Sequence, residues 1–275
     1  MAQQDRRIGF VGGGAMAEAL VGGLIASGSV PGDIVVADVA PERRAHLARA
    51  HGVQIRESNA LIAAESRVVV LAVKPDVVLP VLEQLAGQGG TDLSAPLWIS
   101  IAAGTPIARL EAHLPGDARV VRAMPNTPAL VGAGATGFFA NARATAEDRA
   151  LARAVFDGVG ISWEAPDEQL LDPVTGVSGS GPAYLFAFLE ALAAAGEEVG
   201  LPADVAARLA AQTAYGAAKL ALESDRTPAA LRLQVSSPGG TTLAGLARLE
   251  AGGFAEAIRG AVAAATARAR ELADG

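Results

Sequence analysis

Short apolar runs alternate with helix-like segments through residues 1–165 of the chain. Each run is apolar at successive positions, which is typical of a strand buried on both faces of a parallel sheet. Helical segments between such strands favour crossover connections on both faces of the sheet. The pattern predicts a doubly wound, mostly parallel α/β sheet, with strands at Ile8–Val11, Ile34–Ala37, Val68–Val73, Leu97–Ile101 and Val120–Met124.

Two helix starts in this half have signals of their own. Thr105 precedes Pro106, which predicts a capping hydroxyl followed by a proline at the first helical position. Thr145 and Asp148 have the spacing of a capping box. We therefore expect one helix to begin at each of these places.

The pattern changes after Pro166, where strand signals end and long Ala- and Leu-rich helical periods begin. The first of these helices is apolar around almost its whole circumference, so it must be covered by other protein. We predict an all-α dimerisation domain over residues 166–275 that covers it in a homodimer. The alternative is the central helix of a monomeric bundle. The predicted helices are Pro182–Val199, Pro202–Glu223, Thr241–Glu250 and Phe254–Leu272.

The composition narrows the function classes. The chain has 275 residues, 22 of them basic and 29 acidic, giving a formal net charge of −7. Because it lacks a Lys/Arg cluster, we expect no nucleic-acid partner. Zero cysteines exclude thiolate chemistry, and His46, His51 and His113 lack metal-ligand spacing, so we expect no metal. The apolar runs are too short to span a membrane and no signal peptide is evident, so a cytoplasmic location is expected.

A glycine-rich loop closes the first predicted strand and opens a helix. Gly12, Gly14 and Ala17 fill the G-x-G-x-x-[GA] pattern, which allows a tight turn and a close approach of pyrophosphate to the backbone. Ala15 and Met16 then begin the helix, where unpaired N–H groups and the positive dipole end favour phosphate. The loop predicts a Rossmann-type dinucleotide-binding domain over residues 1–165. The alternative is a structural turn.

The residues after the second strand bear on the choice between NADH and NADPH. Asp38 is suited to accept hydrogen bonds from the adenosine ribose and to repel a 2′-phosphate, which favours NADH. Arg43 and Arg44 follow shortly and are suited to pair with that phosphate, or to lie in a solvated first helical turn. These residues alone do not decide between NADH and NADPH.

Two further loops leave carboxyl ends of predicted strands, where ligands bind in open α/β sheets. Ala72, Val73, Lys74 and Pro75 form the first, and Lys74 is expected either to face the cofactor or to lie in solvent. The second begins at Met124. It contains Asn126, whose amide suits a carboxamide such as that of nicotinamide, or forms an Asx turn.

Two loops in the helical half combine hydroxyls and glycines immediately before a helix. They are Val177–Pro182 and Ser236–Thr242. Free backbone N–H groups at such a start favour a small anion such as a carboxylate. The alternative for each is a well-capped helix.

At these residues the sequence resembles the pyrroline-5-carboxylate reductase family over essentially its whole length. Six motifs stand in the family's order and spacing, and the last of them is the most specific. They are Gly9–Ala17, Ala72–Pro75, Ser100–Gly104, Arg122–Ala129, Gly176–Tyr184 and Ser236–Thr242. Among these motifs, the resemblance implies that Ala102 and Met124 belong to the cofactor site, and that Val177 and Ser178 belong to the substrate site.

The resemblance implies hydride transfer from NAD(P)H to the C=N carbon of Δ1-pyrroline-5-carboxylate, giving L-proline. It also implies dimers that often assemble into decamers. Ser237, Gly240, Thr241 and Thr242 would hold the substrate carboxylate and ring nitrogen. As a hypothesis, Thr242 orients that nitrogen while the charge of Asp225 favours the iminium, so no strong acid is needed.

Asp38 departs from the family, in which a hydroxyl or small residue followed by basic ones often matches an NADPH preference. Two other functions compete with the reductase. A β-hydroxyacid dehydrogenase would need a lysine as general acid/base, and Lys219 is the only candidate on a suitable helix. A non-catalytic nucleotide-binding protein would need the glycine loop but not the two anion loops.

Overall fold

The computed structural model describes residues 7–274, and its chain divides into two compact units. One unit runs to Ser180 and includes the chain from Ala264 onward; the other is Gly181–Ala263. The domain boundary expected after residue 165 stays a prediction. The sheet itself ends at Glu164, and the short helical turns that follow it remain in the first unit.

The first unit contains an eight-stranded sheet of order β3-β2-β1-β4-β5-β6-β7-β8. Neighbouring strands are parallel except β6 and β7, which are antiparallel. The prediction of a mostly parallel α/β sheet followed by an all-α region is confirmed. The strands are Ile8–Val11 (β1), Ile34–Ala37 (β2), Gln54–Arg56 (β3), Val68–Leu71 (β4), Leu97–Ser100 (β5), Arg119–Met124 (β6), Gly134–Ala140 (β7) and Gly160–Glu164 (β8).

Helices connect most of these strands, and from Leu171 onward the chain is helical apart from turns. A π-helical turn, Thr175–Gly179, precedes the second unit. The helices are Ala15–Ala26 (α1), Pro41–His51 (α2), Asn59–Glu65 (α3), Pro75–Gln88 (α4), Ile107–Glu111 (α5), Ala146–Asp157 (α6), Leu171–Val174 (α7), Gly181–Glu198 (α8), Ala203–Glu223 (α9), Pro228–Gln234 (α10), Thr241–Ala251 (α11) and Phe254–Asp274 (α12).

The core of the first unit lies on both faces of the sheet. Val68 and Val70 of β4 belong to one buried cluster, and Val69 and Leu71 belong to the other. Successive side chains of a strand point to opposite faces, so a strand covered on both must be apolar at every position. This is why the central strands were recognisable as continuous apolar runs.

Of the two predicted helix starts, one is confirmed and one is wrong. Thr145 and Asp148 form the capping box at the start of α6. Helix α5 begins at Ile107, because Pro106 has an extended ψ of 153° and is therefore the N-cap. The N–H of Ile107 donates to Glu168 Oε1 at 2.8 Å, so a distant carboxylate takes the place expected for Thr105.

The same carboxylate belongs to a buried ionic network. Arg122 of β6 is buried, and its Nη1 donates to Glu168 Oε1 at 3.0 Å while Nη2 lies 3.6 Å from Asp172 Oδ1. From α12, Arg270 Nε lies 3.9 Å from Asp172 Oδ2. The network ties the turns after β8 and the end of α12 to the sheet.

The second unit is built from close helix packing and leaves large apolar side chains exposed. A Cβ added to Gly196 of α8 would lie 3.1 Å from the Ala206 Cβ of α9, and Tyr184 OH donates to the Ala261 carbonyl of α12. On α8, Leu185 and Phe186 are about 60% exposed. Within residues 7–274, no helix is both long and apolar enough to cross a membrane.

Candidate active site

The carboxyl ends of β1, β2 and β4 meet where the sheet reverses its direction of growth. From β1 the chain moves outward to β2 and β3, then crosses back to place β4 on the other side of β1. In open α/β sheets, ligands bind outside the carboxyl ends of the strands at such a point. A ligand site is therefore expected at the loops after Val11, Ala37 and Leu71.

The glycine loop after β1 makes a tight turn beside β2 and β4. The N–H of Gly12 donates to the Ala37 carbonyl at 2.8 Å. Gly12 has a φ of +93°, and an added Cβ would lie 2.7 Å from the Ala72 carbonyl oxygen. Only glycine fits this position, because L side chains rarely adopt that φ and the nearest obstacle is backbone.

Gly14 opens α1 and faces free space. A Cβ added there would meet nothing within 4 Å, and Gly14 and Ala15 are both exposed. The N-cap offers no side-chain hydrogen bond, so the first-turn N–H groups, Met16 included, point outward without a side-chain acceptor. This cradle fits the pyrophosphate of a dinucleotide, which supplies the missing acceptors.

Asp38 lies at the end of β2 and binds the glycine loop. Its Oδ2 accepts from the Gly13 N–H at 2.6 Å, and its Oδ1 accepts from the Ala40 N–H at 2.8 Å. Beside it is a cavity of about 460 Å³ whose lining includes Asp38, Arg44 and Glu57. With two carboxylates and one guanidinium, this lining suits ribose hydroxyls better than an additional phosphate.

Both arginines that follow Asp38 are engaged by this chain. Arg43 donates from Nε to the Gly13 carbonyl and from Nη2 to Glu18, and Nη2 also lies 3.3 Å from the Gly14 carbonyl oxygen. Arg44 Nη1 donates to the Asp38 carbonyl at 2.7 Å. Arg43 therefore lies along the glycine loop, and Arg44 lies against the end of β2.

Three side chains of α2, one guanidinium and two imidazoles, converge on Glu18 of α1. Besides Arg43, its Oε1 is hydrogen-bonded to Nε2 of His46 at 2.7 Å and to Nε2 of His51 at 3.2 Å. Burial would raise the pKa of Glu18, but these hydrogen bonds and the guanidinium charge lower it to about 2. The sequence analysis missed this cluster. Its signal is the spacing of the three partners beside the buried Leu47 on one face of α2.

The lowered pKa of Glu18 predicts a pH-dependent contribution to stability. We expect the free energy of unfolding of Glu18→Gln to be about 1 kcal/mol lower than that of the native chain near neutral pH. The folded pKa lies below the ordinary value, so this difference is complete above pH 4.5 and shrinks as pH falls toward 2. Denaturant unfolding between pH 3 and pH 7 measures it.

The control for that experiment is Glu42→Gln, which removes an exposed carboxylate from the first turn of α2. Its unfolding free energy should follow the native curve closely throughout. A Glu18→Gln difference of constant size across the whole pH range would contradict the assignment.

The loop after β4 borders the same edge of the sheet. The Ala72 N–H donates to the Val11 carbonyl at 2.8 Å, and Val73 is half-buried beside Gly12. Lys74 is the exposed N-cap of α4, and Pro75 is its first residue. After β5, Ala102 is 2% exposed, so its side chain belongs to the core and only its backbone remains for a ligand.

The loop after β6 is fixed by Asn126. Its Nδ2 donates to the Ser178 carbonyl at 2.9 Å and its Oδ1 accepts from the Ala135 N–H at 2.9 Å. These two bonds leave the Asn126 amide with one further N–H donor and one further lone pair. The binding of a carboxamide by Asn126 therefore stays a prediction. Met124 approaches the π-helical turn, since a Cβ on Gly179 would lie 2.7 Å from its Cε. In that turn Val177 is exposed and Ser178 is half-buried.

The remaining predicted site residues lie in the second unit. Gly240 is the N-cap of α11 and has no side chain to satisfy the N–H groups of the first turn, which Thr241 and Thr242 begin. The Gly240 N–H donates to the Ser237 carbonyl at 3.0 Å, which closes the loop. Asp225 is exposed in the turn between α9 and α10.

The structure thus groups the predicted residues in two sets. The first unit brings the cofactor candidates to one edge of the sheet and places Val177 and Ser178 in the turn bound by Asn126. The second unit contains Asp225 and the Ser237–Thr242 loop. Lys219, the residue required by the competing dehydrogenase hypothesis, is more than half exposed and lies 3.7 Å from Glu223 one helical turn away.

Two family models match different parts of the chain. Residues 168–272 match the family described as pyrroline-5-carboxylate reductase dimerisation, and residues 7–104 match the family described as NADP oxidoreductase, coenzyme F420-dependent. The chain is 45% identical to a pyrroline-5-carboxylate reductase of Pseudomonas aeruginosa, covering 98% of this chain and 97% of the relative. It is 46% identical to the one of a Synechocystis species, covering 97% and 98%.

Solved structures give the same result. A pyrroline-5-carboxylate reductase of Coxiella burnetii is 40% identical with a TM-score of 0.91, covering 98% of each chain. A pyrroline carboxylate reductase of Plasmodium falciparum, solved with NADP bound, is 30% identical with a TM-score of 0.85, covering 98% of this chain and 99% of the other. The resemblance drawn from the sequence motifs is confirmed: the chain belongs to the pyrroline-5-carboxylate reductase family.

Proposed function

We propose that this protein reduces Δ1-pyrroline-5-carboxylate to L-proline, the last step of proline biosynthesis, with NADH or NADPH as the reductant. The observation that carries the proposal is a pair of uncapped helix starts, α1 at Gly14 and α11 at Gly240. Each offers free N–H groups and a positive dipole end to an anion. The first suits a pyrophosphate, and the second suits the carboxylate of a small substrate.

The cofactor would be held by the carboxyl edge of the sheet in the first unit. Gly12, Gly14, Ala15 and Met16 would surround the pyrophosphate, and Asp38 would accept hydrogen bonds from the adenosine ribose. The remaining contacts would come from the loops after the next strands, at Arg43, Ala72, Val73, Lys74, Pro75, Ala102, Met124 and Asn126. When bound, the reduced nicotinamide supplies a hydride.

The substrate would be held by the loop before α11 in the second unit. The free N–H groups that begin α11 at Thr241 and the Ser237 hydroxyl would bind the carboxylate beside Gly240. Val177 and Ser178 of the first unit are carried over as substrate-site residues from the family resemblance. The Thr242 hydroxyl would orient the ring nitrogen. A protonated imine is already electrophilic, so hydride addition to its carbon gives the neutral secondary amine without a strong general acid. Asp225 would favour that protonated form through its negative charge.

We propose that the working form is a cytoplasmic homodimer, and that dimers assemble further into decamers. Support comes from α8, none of whose residues is buried in the single chain although its exposed side chains include Leu185 and Phe186. Exposed apolar patches of this kind mark protein contacts. The dimerisation family matched by residues 168–272 gives independent support.

Two absorbance assays test the reaction. NADH or NADPH is mixed with Δ1-pyrroline-5-carboxylate, and oxidised cofactor is mixed separately with small β-hydroxy acids. The proposal expects loss of reduced-cofactor absorbance in the first assay and no change in the second. Turnover only in the second assay would favour a hydroxyacid dehydrogenase, and silence in both would favour a nucleotide-binding protein.

Asp38→Ser is expected to shift cofactor preference toward NADPH. The serine removes the carboxylate that would repel a 2′-phosphate and retains a hydroxyl that can accept from the loop N–H groups. We expect the ratio of kcat/KM for NADPH over NADH to rise by about 10-fold, the effect of one charge–phosphate contact.

Steady-state kinetics with both cofactors measures the shift. Asp33→Ser, at the opposite end of β2, removes the same charge away from the site and should leave the ratio within about 2-fold. An unchanged ratio in Asp38→Ser would show that Asp38 has no part in the choice.

A further inference from the structure

Arg43 is one of two arginines suited to pair with the 2′-phosphate of NADPH, and other groups of the chain already bind it. It follows β2 in the first turn of α2, where such arginines pair with the phosphate in other dinucleotide-binding domains. Its Nε and Nη2 bind carbonyls of the glycine loop, and Nη2 also binds Glu18. Three acceptors therefore fix the guanidinium against the loop.

Glu18 has an unusual position for a carboxylate. It lies in the first turn of α1, the helix whose start would face the pyrophosphate. An uncompensated negative charge there would repel the cofactor. Arg43, His46 and His51 converge on it, and its side chain is only 26% exposed. The compensation engages the Arg43 guanidinium, which would otherwise be available to a 2′-phosphate.

We infer that Glu18 is a specificity-determining residue: it holds Arg43 along the glycine loop, withholds it from a 2′-phosphate and thereby favours NADH. Asp38, on the other side of Gly13, also favours NADH. A 2′-phosphate would meet the Asp38 carboxylate and an Arg43 guanidinium whose charge Glu18 already neutralises. The inference rests on the proposed function only as far as dinucleotide binding. Glu18 is a positioning residue, since it acts through Arg43.

Equilibrium binding of two nucleotide fragments tests the inference without turnover. Isothermal titration calorimetry of the full chain compares adenosine 2′,5′-bisphosphate with adenosine 5′-monophosphate. Glu18→Gln should lower the Kd for the bisphosphate by about 10-fold, because Arg43 becomes free to make a charge-assisted hydrogen bond. The Kd for the monophosphate should stay within about 2-fold, and kcat/KM for NADPH should rise in parallel with bisphosphate affinity.

Replacing Arg43 shows whether the gain passes through it. In the native background Arg43→Gln should change the Kd values for the bisphosphate and the monophosphate by the same factor, and in the Glu18→Gln background it should abolish the whole gain. Glu42→Gln removes a neighbouring exposed carboxylate and should leave both Kd values unchanged, which separates the contact from a general charge effect.

Two results would overturn the inference. The first is tighter bisphosphate binding in Glu18→Gln that survives loss of Arg43. The second is bisphosphate binding that Arg43→Gln alone weakens about 10-fold more than monophosphate binding, which would show that the native arginine already binds the 2′-phosphate. The second result is obtained with Arg43→Gln alone, so it does not depend on the folding of a Glu18 variant. Failure of the proposed function differs from both: it would appear as absent turnover with intact NADH binding.

Discussion

Gly14→Ala is expected to abolish dinucleotide binding while leaving the fold intact. Gly14 has φ −64° and ψ −178°, a conformation open to any residue, and within residues 7–274 an added Cβ would have no neighbour within 4 Å. The methyl group would instead fill the space through which the pyrophosphate approaches the start of α1. Losing those charge-assisted hydrogen bonds should raise the Kd for NADH by about 100-fold or more. Fluorescence titration measures the Kd, and thermal unfolding should show an almost unchanged Tm.

Gly12→Ala is the matched comparison, because it adds the same methyl group two residues earlier, where we expect a loss of stability. At φ +93° the new Cβ would lie 2.7 Å from the Ala72 carbonyl oxygen and 2.9 Å from Val73 Cγ1. Strain and overpacking of this kind cost about 2–4 kcal/mol, so Gly12→Ala should lower the Tm clearly. NADH binding by Gly14→Ala within about 3-fold of native would contradict the placement of the pyrophosphate.

The central strands could be predicted because their signal is local. Strands β1, β2, β4, β5 and β6 have a core on both faces, so each is mostly apolar at successive positions, with Arg122 interrupting β6. The unpredicted strands lie at the two sides of the sheet. Strand β3 has only three residues, two of them polar, and β8 alternates between half-buried and exposed positions. Strand β7 contains two glycines, which weaken a strand signal.

Interactions between distant residues could not be predicted in the same way. Thr105 had the local signature of a cap, but Glu168 caps α5 across 61 positions because β6 and the turn after β8 lie beside it. The same carboxylate pairs with Arg122, 46 positions away. Such pairs depend on the tertiary arrangement of the sheet, and single-sequence spacing contains no record of it.

The candidate site also combines residues with a local sequence signal and residues brought together by the fold. The glycine loop is contiguous in sequence, so its residues were found directly, as was the hydroxyl- and glycine-rich loop before α11. The Glu18 cluster joins two helices across 25 to 33 positions and was missed, although its Arg43 binds carbonyls of the glycine loop. Local motifs therefore identify where a dinucleotide would bind, whereas the side chains that tune its choice emerge only from packing.

Thr242→Ala is expected to lower kcat/KM for Δ1-pyrroline-5-carboxylate by up to about 100-fold, at the lower end of what a general acid contributes. The reason is that Thr242, in the first turn of α11, would orient the ring nitrogen by one hydrogen bond, while the protonated imine needs no further acid. Steady-state kinetics at saturating NADH measures the change. The Kd for NADH should stay native, because the cofactor candidates belong to the other unit.

Thr242→Ser is the matched control, because it retains the hydroxyl and removes only a methyl group. Its kcat/KM should stay within about 3-fold of native if the hydrogen bond is what matters. A loss in Thr242→Ala clearly beyond about 100-fold would exceed orientation and assign Thr242 a proton-transfer role. A loss below about 3-fold in Thr242→Ala would leave the Ser237 and Gly240 contacts to position the substrate alone, so that the carboxylate and not the ring nitrogen would determine its orientation.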